Sequence, residues 1–356
     1  MHLESGHVPA AYRRYIGRKT GFIAALGLLL GVLFLVSISV GAAALPLADV
    51  GRTLMGAAAS PQMDAIIWRI RLPQALAAVL GGAALAVAGA VMQSVLRNPL
   101  GSPFTLGISH AAAFGAALSV MLLGAGTMSS TTVGAVKISN PYLTTGSAFV
   151  CCAVTAWVIV GISRLRGATP EIMVLTGVAL SALFSAGIMF LQYFADDVQL
   201  AAMVFWTFGD AARAGWAEIG ILAAVTLAAG LFFFLKRWDY NAIDGGDETA
   251  KGLGVRVERV RLQGMLVSSL VTAVTVAFLG VIGFVGLVCP HIVRRVIGGD
   301  HRFLLPATVL TGSLLLLAAD TIARIVLAPH VLPVSVLTAF TGAPVFIYLI
   351  LRGYRR

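Results

Sequence analysis

Long apolar runs separated by short polar segments dominate the chain, and the clearest run lies between Arg71 and Arg97. No Asp, Glu, Lys or Arg interrupts the residues between these two arginines. The run is longer than the roughly 20 residues that a helix needs to cross a bilayer. Within it, Gly82, Ala86 and Ala90 recur every four residues, a spacing that lets another helix approach closely. The pattern therefore predicts a membrane-crossing helix that packs against protein.

The same pattern repeats along the chain and predicts ten crossings. One of them, GVIGFVGLVCPHIVRRVIGG, contains Pro290, which indicates a broken or short helix that protein must bury. Between crossings we expect external loops at 46–70 and 125–142, an outer surface segment at 199–209, and a cytoplasmic excursion at 239–261. The predicted crossings lie at about 21–45, 71–97, 105–124, 143–163, 171–193, 216–235, 262–282, 280–299, 304–327 and 333–351.

The composition agrees with a membrane protein. Apolar residues make up 59% of the chain and charged residues 11%, whereas soluble domains carry about 25% charged residues. A β-barrel would require short segments of alternating polarity instead of long apolar runs. We therefore predict an all-α, polytopic membrane protein with one transmembrane domain over 21–356 and a polar cytoplasmic tail over 1–20.

The distribution of basic residues orients this domain. Lys and Arg concentrate in alternate connecting segments, which the positive-inside rule places in the cytoplasm together with both termini. The basic cluster Arg13–Lys19 before an apolar run can imitate a secretory signal with cleavage at Ala42–Ala44, but this run is longer than a usual signal core. The net charge of +10 then reflects the orientation of the chain in the membrane and not a binding site for an acidic ligand. We expect the chain to contact membrane lipid and not nucleic acid. The basic residues outside the predicted cytoplasmic segments are Arg52, Arg69, Arg71, Lys137, Arg213 and Arg324.

Residues that often bind metals lack a ligand spacing in this chain. No CxxC or Cys/His pattern occurs, so the cysteines in apolar runs are interpreted as small buried hydrophobic residues. We expect no metal and no covalently bound cofactor. The chain also lacks a GxxxxGK(S/T) phosphate loop, so ATP hydrolysis would belong to a partner. The residues concerned are Cys151, Cys152, Cys289, and the scattered His110, His291, His301 and His330, which fit helix ends or loops.

Three ordered segments resemble one family. They are RLPQALAAVLGGAALAVAGAVMQSVLRNPLGSPFTLGIS, then GGDETAKGLGV, then GFVGLVCPHIVRRVIGGDHRFLLP followed by ADTIAR and GAPVFIYLILR. These segments are similar to those of the membrane permeases of type II ABC importers for ferric siderophores, haem and cobalamin. The resemblance implies ten helices per subunit in a homodimer. It also implies two ABC ATPase subunits on the cytoplasmic side and a periplasmic or lipid-anchored substrate-binding protein outside.

The GGDETAKGLGV segment matches the family's ATPase-coupling segment. The resemblance implies a pair of short helices seated on the ATPase, with a turn or helix cap at Gly254. An ordinary solvated loop is the alternative. The matching positions are Gly246, Asp247, Glu248, Thr249, Ala250, Leu253, Gly254 and Val255.

The family uses outer arginines to receive carboxylates of its binding protein, and Arg71 and Arg324 match those positions. A guanidinium suits this because it stays charged and binds a carboxylate through two donors. Gln74 stands where the family pattern often has a second arginine, so Arg69 is the candidate to compensate, with interfacial anchoring as the alternative. Asp320 lies four residues before Arg324, and we expect the two to pair on one helical face.

Several residues are candidates for lining a pore. Gly177, Ser181 and Ser185 share one face of the fifth crossing, although small residues at this spacing also serve simple helix packing. His110 stands where the family often has a small polar residue, and Pro344 interrupts the last crossing. We expect these five residues near the substrate path.

Together these features predict a non-enzymatic transport subunit of an ABC importer in the cell inner membrane. It would move an iron chelate such as a ferric siderophore, or a related large cofactor, by alternating access, with ATP used by the partner ATPase. Haem or cobalamin is the alternative cargo. An ion-coupled secondary transporter is the alternative from another class, but it needs acids at the membrane midplane. The candidate acids are only Asp320 near an outer end and Glu171 and Glu218 at helix ends.

Overall fold

The computed structural model describes residues 10–41, 45–57, 60–124, 126–128, 136–138, 141–327 and 330–353. Within these ranges most of the chain is helical, and one short antiparallel hairpin pairs β1 with β2. A π-helical turn, Ile67–Arg71, joins α3 to α4, and a 3-10 turn, Ala211–Arg213, precedes α9. The elements are α1 (Ala10–Ser39), α2 (Leu47–Leu54), α3 (Pro61–Ile66), α4 (Leu72–Val95), α5 (Ile108–Leu122), β1 (Gly126–Met128), β2 (Val136–Ile138), α6 (Pro141–Leu165), α7 (Pro170–Phe194), α8 (Asp197–Thr207), α9 (Trp216–Leu235), α10 (Arg237–Asp244), α11 (Asp247–Gly252), α12 (Val257–Leu279), α13 (Val285–Ile297), α14 (His301–Ala323) and α15 (Val334–Gly353).

Among the described residues, seven helices are long and apolar enough to cross a membrane. They are α1, the continuous unit of α3 and α4, α6, α7, α9, α12 and α14. Shorter helices, α5, α13 and α15, occupy the other predicted crossings. α13 has 13 residues with Pro290 in its middle, in agreement with the short helix expected there. Apart from the short hairpin, the regular structure of the described residues is helical, which confirms the predicted class, an all-α multi-pass membrane protein.

Some helix boundaries differ from the prediction. α1 begins at Ala10, inside the predicted polar tail, because basic side chains are compatible with a helix that continues beyond the apolar run. The predicted loop over 46–70 is wrong, since it contains α2, α3 and most of the π-helical turn. Ser60 caps α3 by accepting a hydrogen bond from Met63 N at 3.2 Å, a local signal that the apolar pattern does not contain. The expected outer segment at 199–209 is α8, which an Asp196 capping box starts.

α4 is the central helix of the bundle. Nearly all of its residues are buried, and it packs against α9, α12, α13 and α14. A Cβ atom added at Gly82 would overlap the carbonyl of Gly312. A Cβ atom added at Gly312 would in turn overlap the side chain of Ala86. A Cβ added at Gly89 would overlap the carbonyl of Gly286. The small-residue face predicted on α4 is therefore confirmed as a face of close helix packing.

α1 and α7 lie at the periphery of this single chain. In the most apolar stretch of each helix, only 11% of the residues of α1 and 6% of those of α7 are buried. On α7, Leu183 and Phe190 are each more than 60% exposed. These two helices therefore present apolar surface to lipid or to other protein.

Replacing Gly82 by alanine should destabilise the bundle by about 1–3 kcal/mol, because overpacking a close helix contact forces backbone shifts. Gly230 on α9 is the matched control, since no atom lies within 4 Å of its Cβ position. Gly230→Ala should stabilise slightly, because glycine costs conformational entropy in a helix. Unfolding of both purified variants in detergent measures the difference. Equal stability of the two variants would contradict close packing at Gly82.

Candidate functional site

The coupling segment folds into two short helices, α10 and α11, joined through glycines. Gly246 has a φ of 112° and Gly254 a φ of 83°, values that favour glycine. The predicted helix pair and the turn at Gly254 are both present. Of the eight matching residues, Glu248, Thr249, Leu253 and Gly254 are exposed, Gly246, Asp247 and Val255 are half-buried, and Ala250 is buried.

The exposed part of this segment is polar and can contact a partner. Glu248 is 93% exposed and lies 3.7 Å from Lys251, which also lies 3.6 Å from Glu258. Leu253 is 70% exposed at the end of α11. The buried Ala250 anchors the opposite face of α11 in the core. The segment thus combines an exposed face with a buried anchor.

Arg261 on α12 fixes the position of α11. Its side chain is 3% exposed, and Nη2 donates to both carboxylate oxygens of Asp247 at 3.0 Å. Nε donates to the Val95 carbonyl at 2.7 Å, and Nη1 donates to the Ala168 carbonyl at 3.1 Å. Arg261 is the last residue of the predicted cytoplasmic excursion, and the sequence pattern gives it no specific role. One local feature does single it out: Arg261 is the last charged residue before the long apolar run of α12.

A second polar network joins α10 to the ends of α4 and α14. His301, the first residue of α14, is fully buried; its Nδ1 lies 2.9 Å from Asn241 Oδ1 and its Nε2 lies 2.9 Å from Ser94 Oγ. Asn241 Nδ2 donates to Asp300 Oδ1 at 3.2 Å, so the amide oxygen accepts and His301 Nδ1 donates. Arg294 donates to Ser94 Oγ at 2.9 Å, which leaves that hydroxyl to donate to His301 Nε2. His301 therefore lies at a helix end, as expected, but in a structural network.

Two carboxylates beside this network respond to it differently. Burial alone would raise the pKa of Asp300, but hydrogen bonds from Arg302 and Asn241 outweigh it and lower the pKa to about 2. Burial raises the pKa of Asp244 at the end of α10, and the charge of Arg294 opposes this shift. Asp300 therefore stays ionised and caps the start of α14.

The outer arginines are buried against the end of α1. Arg71 is 6% exposed, and its Nη1 donates to the carbonyls of Ile38 and Ser39, each at 2.7 Å. Arg324 is 9% exposed and donates to the carbonyl of Ser37 at 3.2 Å and to its hydroxyl at 2.7 Å. Carbonyls in the last turn of a helix lack partners within that helix. Both arginines therefore cap α1 in this conformation.

The predicted pairing of Asp320 with Arg324 is confirmed. Arg324 Nη2 lies 3.2 Å from Asp320 Oδ2, and Asp320 is 1% exposed. Gln74 Nε2 donates to the other carboxylate oxygen at 2.8 Å, so the residue that departs from the family pattern supports Asp320. Arg69, by contrast, is exposed on the π-helical turn. The structure thus separates one exposed outer arginine from two buried ones.

Two of the five pore candidates, Gly177 and Ser181, make contacts within the chain. Gly177 is buried against the backbone that precedes α5, and Ser181 Oγ donates to its carbonyl at 2.8 Å. This part of the α7 face therefore serves helix packing. Ser185 and His110 are half-buried, and Pro344 is exposed on α15.

The comparisons with known proteins cover nearly the full chain. The FecCD transport family matches residues 29–352. An ABC transporter permease protein of Methanocaldococcus jannaschii is 54% identical over 98% of this chain and 99% of its own length. A hemin transport system permease protein of Yersinia pestis is 38% identical over 91% of this chain and 93% of its own. Among solved structures, an inward-facing metal-chelate type ABC transporter aligns with a TM-score of 0.80 at 29% identity, covering 94% of this chain and 99% of that one.

Proposed function

Because the chain belongs to the FecCD transport family, we propose that it forms the membrane pathway of an ABC importer for an iron chelate. The chain is a transport subunit and not an enzyme. The observation that carries the proposal is the coupling segment, a polar helix pair with an exposed face on an otherwise apolar bundle. A secondary transporter needs no such segment. ATP would be bound and hydrolysed by two ABC ATPase subunits docked on it.

The proposed cargo is a ferric siderophore or a related iron chelate, with haem or cobalamin as the alternative. The hemin permease of Yersinia pestis and the metal-chelate transporter support a metal-chelate class. The membrane-embedded Asp320 is already paired with Arg324 and Gln74, which disfavours a coupling-ion site at that acid. Selection among chelates would rest mainly on the substrate-binding protein.

We propose a homodimer in the inner membrane with ten crossings per subunit. Both termini would lie on the cytoplasmic side. The uncovered apolar face of α7 and the exposed Pro344 on α15 support a dimer axis beside these helices. Ser185 and His110 are half-buried and would approach the same path. Lipid would cover α1, whose apolar surface is also largely exposed.

The exposed Arg69 is the proposed first contact for a carboxylate of the periplasmic or lipid-anchored binding protein. Arg71 and Arg324 are buried, and carbonyls of α1 accept hydrogen bonds from both of them. A partner carboxylate reaches these two arginines only if the end of α1 moves away. Docking would therefore begin at Arg69 and continue to the buried pair.

Arg69→Glu should weaken association with the binding protein roughly five-fold at low salt, since exposed ion pairs contribute up to about 1 kcal/mol. The loss should shrink as salt screens the charges. Arg52→Glu is the control, because Arg52 is also exposed and lies on α2. Binding to the permease in lipid nanodiscs at several salt concentrations measures the effect. If both variants bind alike, Arg69 is not a docking residue.

Co-purification with the ATPase subunit tests the proposed function. The wild-type chain should retain the ATPase in a stable complex, whereas Gly254→Val should weaken that complex. With valine at position 254 the turn is harder to form, because a φ of 83° is unfavourable by roughly 1–2 kcal/mol for a residue with a Cβ atom. Gly252→Val is the control, since Gly252 lacks a positive φ and its Cβ position is open. A wild-type chain that retains no ATPase would overturn the function, and equal retention by both variants would overturn the role of the turn.

A further inference from the structure

We propose that Arg261 is a positioning residue that transmits movement of α11 to the cytoplasmic ends of α4 and α7. This inference rests on the proposed function, because it assumes that an ATPase moves the coupling segment. It adds a specific mechanical link that neither the resemblance nor the comparisons assign.

One guanidinium joins three separate parts of the chain. Its contacts reach Asp247 at the start of α11, the carbonyl of Val95 at the end of α4, and the carbonyl of Ala168 in the turn before α7. All three partners lie within 3.1 Å of the Arg261 nitrogens. A displacement of α11 that keeps the ion pair must therefore move or strain the other two contacts.

The chemistry of the site requires an arginine. The planar guanidinium presents donors in a fixed fork, so Nη2 binds the Asp247 carboxylate while Nε and Nη1 bind the two carbonyls. A lysine ammonium at this position has three donors on a flexible stem and cannot hold this geometry. Because Arg261 is buried, loss of Asp247 leaves its charge without the bidentate partner.

The turn that Arg261 holds has an unusual backbone. Ala168 has a φ of 53°, a conformation that costs energy for a residue with a Cβ atom. Such a residue persists only where surrounding contacts define it. The hydrogen bond to its carbonyl is one of those contacts, so the turn and the start of α7 depend on Arg261.

A polar cavity of about 480 Å³ lies between α11 and the first turn of α7. Glu171 of α7, Lys251 of α11 and Glu258 of α12 line it, together with Arg97, Asp247 and Arg261. The cavity leaves space between the two helices instead of a packed apolar contact. Arg261 at its wall is therefore a direct connection between them.

The test measures whether nucleotide moves the turn before α7. A spin label is placed at the exposed Arg166, in a chain whose cysteines are replaced by alanine, and the complex with the ATPase is reconstituted in nanodiscs. In the proposed dimer, distances between the two labels are recorded without nucleotide and with MgATP and orthovanadate. The variants are Asp247→Asn, Arg261→Lys and, for rescue, Asp247→Glu. Asp197→Asn is the matched control, since Asp197 is also the first residue of a helix, α8, and is exposed.

We expect the wild type, Asp197→Asn and Asp247→Glu to show a nucleotide-dependent distance change. In the complexes that Asp247→Asn and Arg261→Lys form with the ATPase, the fraction that moves should fall roughly five-fold or more, the scale of typical coupling energies. A wild-type response in both variants would overturn the inference. So would failure of both to assemble, because Arg261 would then be only a structural residue. A wild type that retains the ATPase but shows no distance change would also overturn the inference, whereas a wild type that retains no ATPase would count against the proposed function.

Discussion

The ends of its helices constrain this bundle most strongly, because the last carbonyls of a helix have no partners within it. In a membrane, an unpaired carbonyl is costly, so side chains must supply the missing donors. This chain uses arginine for the purpose at several ends. Arg71 and Arg324 bind carbonyls at the end of α1, Arg261 binds one at the end of α4, and Arg213 binds carbonyls at the end of α8. A cation at that position also interacts favourably with the helix dipole.

The helix at the centre of the bundle, α4, is the most closely packed by its neighbours. α4 is buried along nearly its whole length, and glycines bring its backbone against α13 and α14. Polar contacts then attach both of its ends to other helices: Gln74 reaches Asp320, and Ser94 reaches His301. The polar contacts of α10 and those of Arg324 therefore reach opposite ends of the same central helix. This arrangement suits a permease that must relate events on two sides of a membrane.

The sequence predicted the parts of this structure that follow from periodicity and charge. The apolar runs, the small-residue face of α4, the short helix at Pro290 and the pairing of Asp320 with Arg324 are all local patterns. Burial of Arg71 was not predictable in this way, because its partners lie more than 30 residues earlier, at the end of α1. The role of Arg261 was hidden for the same reason, since Val95 and Ala168 come from distant helix ends. Long-range polar contacts leave no periodic signal in the chain.

The most direct test of the account is uptake into proteoliposomes that contain the permease, its ATPase and its binding protein. A ferric siderophore, haemin and cobalamin are offered separately, each with and without ATP. The account predicts that at least one of the three accumulates, and only when both ATP and the ATPase subunit are present. Accumulation that persists without ATP and without the ATPase subunit would contradict it.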